Sequence, residues 1–126
     1  MYYLIHKNAK FNVVVTLSIK NIKEIEEPLQ GEIIGLCEEK HQYFNELFKK
    51  YSKNLAFEII FNKSSAVYKV SASLNLKSKK VVLAEEHKKA ITAVNKLLAN
   101  FKKAVKKQYE LERKEYEYKR KRKKTN

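Results

Sequence analysis

A chain of 126 residues has room for one domain with a modest core, and not for two. It carries 28 Lys+Arg against 14 Asp+Glu, a net charge of +14 and a pI near 9.8, a field that points to nucleic acid or an anionic membrane as partner. No apolar run approaches the ~20 residues that span a bilayer, no secretory signal with a cleavage site is present, and the lone Cys37 excludes an internal disulfide, so a soluble, cytoplasmic, basic domain is expected.

Residues 1–10 read as an N-terminal extension, with a short edge strand turning back at Lys7-Asn8 and a loose segment both open. In NVVVTLSIK (12–20), Val13, Val15, Leu17 and Ile19 alternate with Asn12, Thr16, Ser18 and Lys20, and only Val14 breaks the pattern. That spacing predicts a strand with one buried face. A polar link at 21–27 meets Pro28, which suits the first turn of a helix because the missing N–H has no partner to lose there. The helix is expected to reach Tyr51, with Leu29, Ile33, Leu36, Phe44, Leu47, Phe48 and Tyr51 on one side and Asn54 as its end cap. Gly31 and Gly35 lower its propensity by up to ~1 kcal/mol each, so packing has to support its first half.

Leu55, Phe57, Ile59 and Phe61 alternate with Ala56, Glu58 and Ile60, and residues 62–65 (NKSS) supply turn chemistry. From 66 to 76, Tyr68, Val70, Ala72, Leu74 and Leu76 oppose Lys69, Ser71, Ser73 and Asn75. Lys77-Ser78-Lys79 turns the chain, and residues 80–84 form a last short strand. Then AEEHKKAITAVNKLLANFKKAVKK (84–107) places Ala90, Ile91, Val94, Leu98, Phe101 and Val105 at steps of three and four, one face of a helix. Lys89, Lys96, Lys103 and Lys107 form a second row, and Lys88, Lys102 and Lys106 a third beside it. A solvated face normally mixes signs, whereas almost nothing acidic interrupts these lysines.

The element order is β-α-β-β-β-α, an α+β fold. Right-handed crossover makes the first two strands parallel and short turns make the last three antiparallel, giving a four-stranded mixed sheet. Its outer positions are largely polar, so both helices are expected on one face, with Tyr68, Val70, Leu74, Leu98 and Phe101 in the core. After Lys107 the character changes. QYELERKEYEYKRKRKKTN keeps helical spacing at Tyr109, Leu111 and Tyr116, but no core is left to hold it. Lys119-Arg120-Lys121-Arg122-Lys123-Lys124 is a run of six basic residues that repel one another. The chain thus divides into an extension (1–10), a domain (11–107) and a basic C-terminal tail (108–126).

Catalytic constellations are poor, and the chain is not expected to be an enzyme. His6, His41 and His87 are scattered, with no HExxH and no paired cysteines. Glu38 and His41 form half of a di-metal carboxylate motif without its matching half, so no metal site is expected. Cys37 lies near the apolar side of the first helix, as a packed thiol rather than a nucleophile. With only Gly31 and Gly35 there is no phosphate-cradling loop, and neither a cofactor nor a small-molecule substrate is indicated.

The order of elements, Lys20-Asn21-Ile22 closing the first strand, HQYF (41–44), the FEIIFNK–SAVYKVSASLNL hairpin and AITAVNKLLANFKKAVKK together resemble the ribosome hibernation promoting factor (ribosome-associated inhibitor A) family over residues 12–107. The resemblance implies a domain lodged on the small ribosomal subunit between head and body. There it would occupy the tRNA sites and the mRNA path and hold the ribosome idle. Departures stand beside it. Glu38 and Glu39 sit in a helix that is usually lysine-rich, and Glu85, Glu86 and His87 precede Lys88 and Lys89 where an aromatic is common. There is also no second domain of the kind that lets long members pair two ribosomes, so a short member that leaves ribosomes single is expected.

The residues support an RNA partner without that resemblance, because lysine rows on a rigid helix meet dense phosphate without reading sequence. The expected phosphate contacts are Lys88, Lys89, Lys96, Lys102, Lys103, Lys106 and Lys107, with Lys20, Lys40, Lys49 and Lys50 secondary and Lys119, Arg120, Lys121 and Arg122 in the tail. Tyr109, Tyr116 and Tyr118 are candidates for base stacking or for plain packing. Two rivals differ in class. A double-stranded RNA binding domain is faintly echoed by HKKAITAV, but residues 62–65 lack the Gly and His of that family's loop. A membrane-surface or scaffold module anchored by the tail lacks a large apolar patch beside the charge.

Overall fold

The computed structural model describes residues 2–5 and 14–124, with side chains described for 14–117. The chain runs β1 (Tyr2–Ile5), β2 (Val15–Lys20), α1 (Glu27–Leu47), β3 (Leu55–Ser64), β4 (Val67–Asn75), β5 (Lys80–His87) and α2 (Ala90–Lys124). Among the described residues the strands form one five-stranded sheet in the order β1-β2-β3-β4-β5. β2 and β3 are parallel, as the α1 crossover requires, and every other pair is antiparallel. The expected four strands therefore stand in their expected directions. β1 adds a fifth at the edge, pairing Tyr2 with Lys20 and Ile5 with Leu17. The turn considered at Lys7-Asn8, and the strand positions Asn12 and Val13, lie outside the described residues.

Both helices cover the sheet face carrying Leu17, Ile19, Phe57, Ile59, Phe61, Val70 and Leu74, all buried. Three aromatic rings form the centre. Phe57 and Phe101 stack with centroids 5.6 Å apart and planes 7° apart, and Phe44 meets them edge-on at 5.1 and 5.7 Å. Tyr68, Val70, Leu74, Leu98 and Phe101 are all in this core, as the alternation implied. Cys37 is wholly buried beside it on α1, and burial, with the Glu38 charge, pushes its thiol pKa up to about 12.

Polar side chains join α1 to the start of β2. Asn45 Oδ1 accepts from the Val14 and Val15 N–H groups at 2.9 and 3.1 Å, and His41 Nε2 donates to the Val15 carbonyl. His41 thus serves as a buried tie between α1 and β2. Among the described residues no cluster of three or more His, Cys, Asp or Glu could hold a metal ion. At the other end of β2, Asn21 takes a left-handed conformation (φ 63°), and a 3-10 turn at Ile22–Glu24 buries Ile22 ahead of α1. Gly31 and Gly35 face open space on α1, so the burial of Ile33 and Cys37 supports its first half.

Four boundaries differ from the sequence reading. The β3–β4 hairpin turns at Ser65-Ala66 and not over 62–65, since Ser64 still pairs with Val67 and Ser65 supplies the positive φ (56°) a tight hairpin needs. α1 stops at Leu47 rather than Tyr51, with Asn54 uninvolved. A turn closed by Tyr51 N–H to Phe48 carbonyl (2.8 Å) frees the Tyr51 ring to pack against α2. β5 continues to His87 because β4 offers pairing as far as Tyr68. α2 therefore starts at Ala90 and not at Ala84, after a bend in which His87 Nδ1 accepts from the Lys89 N–H.

The largest correction concerns the tail. α2 does not lose its support at Lys107 but runs unbroken for 35 residues, roughly 52 Å at 1.5 Å per residue. Its stripe continues with polar and aromatic groups in place of aliphatic ones. Tyr109 packs on Phe48 (4.7 Å) and Tyr51 (5.6 Å). The Glu112 carboxylate accepts from the Tyr51 hydroxyl (2.6 Å), the Ser78 N–H (3.0 Å) and the Ser78 hydroxyl, and Gln108 donates to Ser78 Oγ at 2.8 Å. This docked segment nucleates the helical turns beyond Glu112. Lys, Arg and Glu are good helix formers, which favours a helical backbone beyond Glu112.

Glu112 makes this clasp sensitive to acid. Burial alone would raise its pKa, but hydrogen bonds from Ser78 and Tyr51 and the nearby Lys77 ammonium outweigh that, so it lies below the ordinary value. A depressed folded pKa contributes stability that is present above the unfolded carboxylate pKa and lost as pH falls through the folded one. Acidification below about pH 4 should therefore loosen Tyr109 and Tyr51, read as a change in near-ultraviolet tyrosine dichroism. Glu112→Gln should remove that transition, and a transition that persists in the variant would place it elsewhere.

Candidate nucleic-acid interface

From Ala90 to Lys107, α2 contains no acidic residue, and Glu110 is the first on the helix. Its buried stripe is broader than the sequence implied, since Ala93 and Leu97 join Ala90, Val94, Leu98, Phe101 and Val105. Broad burial on one side fixes the rotation of the helix, so Lys96, Lys103, Lys106 and Lys107 all stand exposed on the other. Lys96 and Lys103 are two turns apart, roughly 10 Å along the axis. That is close to the Debye length at physiological salt, so those two charges repel little, whereas Lys106 and Lys107 stand within a turn of Lys103 and concentrate like charge there. Lys88 and Lys89 are exposed as well, but in the bend before the helix and not in its rows.

Lys102 departs from the row assigned to it. It is half-buried, with Nζ 4.4 Å from the centroid of the Tyr43 ring on α1, and Lys40 Nζ lies 5.8 Å from the same ring. Ammonium groups from the two helices thus meet around one aromatic ring. Such placement disfavours protonation: burial, then the Lys102 charge, lowers the Lys40 pKa, and Glu39 opposes this only in part. An anion placed beside them would offset the repulsion between the two ammonium groups and supply an acceptor. Spacing along the chain could not disclose this meeting, because Lys40 and Lys102 lie on different helices and Tyr43 is an ordinary aromatic in HQYF.

The other predicted contacts are elsewhere. Lys20 points to the sheet face away from the helices and is paired with Glu58 at 2.9 Å. Lys49 and Lys50 stand in the turn after α1, where Lys49 pairs with Glu46 at 2.8 Å. Lys119, Arg120, Lys121 and Arg122 continue the α2 backbone, and their side chains lie outside the described residues. The arrangement therefore brings together Lys40, Lys96, Lys102, Lys103, Lys106 and Lys107 on the helical side and leaves Lys20 on the opposite one. Of the tyrosines considered for stacking, Tyr109 is engaged in packing and Tyr116 is exposed, while the Tyr118 side chain lies outside the described residues.

No family model matches the chain, and no curated protein matches it by sequence. Among solved structures, the N-terminal domain of Protein Y from Thermus thermophilus is similar in fold, with a TM-score of 0.50 at 16% identity over 77% of this chain and 98% of that one. Among the described residues, no helix is long and apolar enough to cross a membrane.

Proposed function

We propose that this domain binds the small ribosomal subunit through its RNA, between head and body, and holds the ribosome idle by occupying the tRNA sites and the mRNA path. The observation that carries the reading is the face of α2, where exposed lysines run from Lys96 to Lys107 with no acidic residue among them. Its rigid backing by the Phe44–Phe57–Phe101 centre presents that charge as a preformed surface. The fold shared with the Protein Y domain and the family resemblance of residues 12–107 support the same reading. Lysines meeting phosphate as point charges suit recognition of an RNA shape over base readout. The action is steric and occurs in the cytoplasm, with no catalytic step, cofactor or small-molecule substrate.

Purified protein added to a translation extract should suppress synthesis and compete with tRNA and mRNA for the small subunit. Reversing the charge at Lys96 and Lys103 (Lys96→Glu with Lys103→Glu) should relieve the inhibition at unchanged thermal stability, because both side chains are exposed. Each lost phosphate contact should also shallow the salt dependence of log K by roughly 0.7–0.9. A double variant that inhibits as well as the parent protein would remove this face from the contact surface. Equal affinity for naked duplex RNA and for the small subunit would favour a general RNA-binding module.

A further inference from the structure

Between the exposed part of α2 and the turn that joins β4 to β5 lies an open cleft of about 490 Å³, within the size range of small-ligand sites. Three tyrosines, Tyr51, Tyr109 and Tyr116, line it together with Lys77 and Arg113. We propose that this cleft takes one unpaired RNA nucleotide, its base against Tyr116 and its phosphate against Lys77 and Arg113. The proposal rests on the RNA-binding reading above and adds to it a site outside the lysine rows.

Tyr109, Arg113 and Tyr116 follow one another at steps of four and three and so share one side of the helix. Tyr109 is closed off by Phe48, whereas Tyr116 is 64% exposed, a ring face in contact with solvent at the mouth of the cleft. The cations are held in place: Lys77 Nζ lies 4.9 Å over Tyr51 and donates to Ser52 Oγ, and the Arg113 guanidinium lies 5.8 Å over Tyr109. An exposed aromatic with nearby Arg and Lys is the usual platform for a single-stranded base and its phosphate.

The acidic residues of the cleft set a preference. Glu112 already accepts from Tyr51 and from two donors of Ser78, so its charge is satisfied within the clasp. Glu117 also lines the cleft, on the α2 side. A carboxylate there repels phosphate, which turns the backbone of the nucleotide toward Lys77. It also accepts from an exocyclic amino group, so bases that carry one are favoured over uracil.

The test uses the full chain and end-labelled RNA hexamers followed by fluorescence anisotropy. Oligocytidine should bind more tightly than oligouridine. Tyr116→Leu should weaken oligocytidine binding about tenfold, with helix content and duplex RNA affinity unchanged, and Tyr116→Phe should retain it. Equal binding of the parent protein and Tyr116→Leu would overturn the cleft. If Lys96→Glu with Lys103→Glu still abolished duplex binding in that case, the RNA reading itself would stand. If the charge-reversed variant and Tyr116→Leu both bound every RNA as the parent protein does, both readings would fall. A hexa-arginine peptide binding in a Tyr116-dependent manner, in place of RNA, would overturn the proposal in favour of a basic protein partner.

Discussion

Phe101→Ala should destabilise the domain by about 3–5 kcal/mol, a large part of the 5–15 kcal/mol that holds a typical domain together. The ring lies flat on Phe57 and edge-on to Phe44, each fully buried, so its removal opens a void bounded by α1, α2 and β3 at once. None of these walls can close the gap without pulling away from the others. Leu98→Ala, nearer the edge of the same stripe, should cost ~2–5 kcal/mol, while Leu111→Ala, at 48% exposure, should change stability by less than about 0.5 kcal/mol. Urea melts at constant m-value measure all three. A loss below ~1 kcal/mol for Phe101→Ala would mean that the aromatic centre is not the core.

Removing residues 118–126 should have the largest effect on binding and almost none on folding. The cut takes away six consecutive basic residues, 119–124, but spares Tyr109 and Glu112, which fasten α2 to the domain. If all six lie along phosphates, the slope of log K against log salt should flatten by roughly 4–5. The loss of affinity should be greatest at low salt and fade as salt rises. The bases protected from chemical probing should stay the same, since the docking position is set by the body of the domain. An unchanged slope would take the tail off the RNA, and a moved footprint would show that it steers the docking. A cut at Lys107 would confuse the two effects, because it uncovers Phe48 and leaves Ser78 without its Glu112 and Gln108 partners.

The strands were legible because an alternation of period two has one physical meaning, a pleated chain with one face buried, and Val15–Lys20, Leu55–Ser64 and Val67–Asn75 display it. Their ends were less so, for reasons that lie in other parts of the chain. Glu85, Glu86 and His87 carry no apolar signal, yet they are strand because Glu86 stands opposite Lys69 and His87 opposite Tyr68 on a neighbour already in place. The continuation of α2 was hidden for a similar reason. The spacing continued at Tyr109, but its partners did not show, because Tyr109 and Glu112 hold the next turns through ring packing and hydrogen bonds to Tyr51 and Ser78, which hydrophobic spacing cannot register. In the candidate site, the exposed lysines of α2 followed from helix geometry alone. The Lys40–Tyr43–Lys102 meeting and the Tyr116 cleft did not, since each joins segments that only the tertiary packing brings together.

Cys37 gives this fold a built-in chemical reporter. It is the one cysteine in the chain, and with its thiol pKa pushed up to about 12 it is unreactive while α1 lies on the sheet. A soluble alkylating reagent can reach the sulfur only after that helix lifts, so the labelling rate counts openings in a population that otherwise looks uniform. When reclosure outpaces alkylation, the labelling rate divided by that of an unfolded peptide equals the opening equilibrium constant. Wild-type protein, free or engaged on its partner, could then have its local unfolding free energy read by mass spectrometry without dye, tag or substitution.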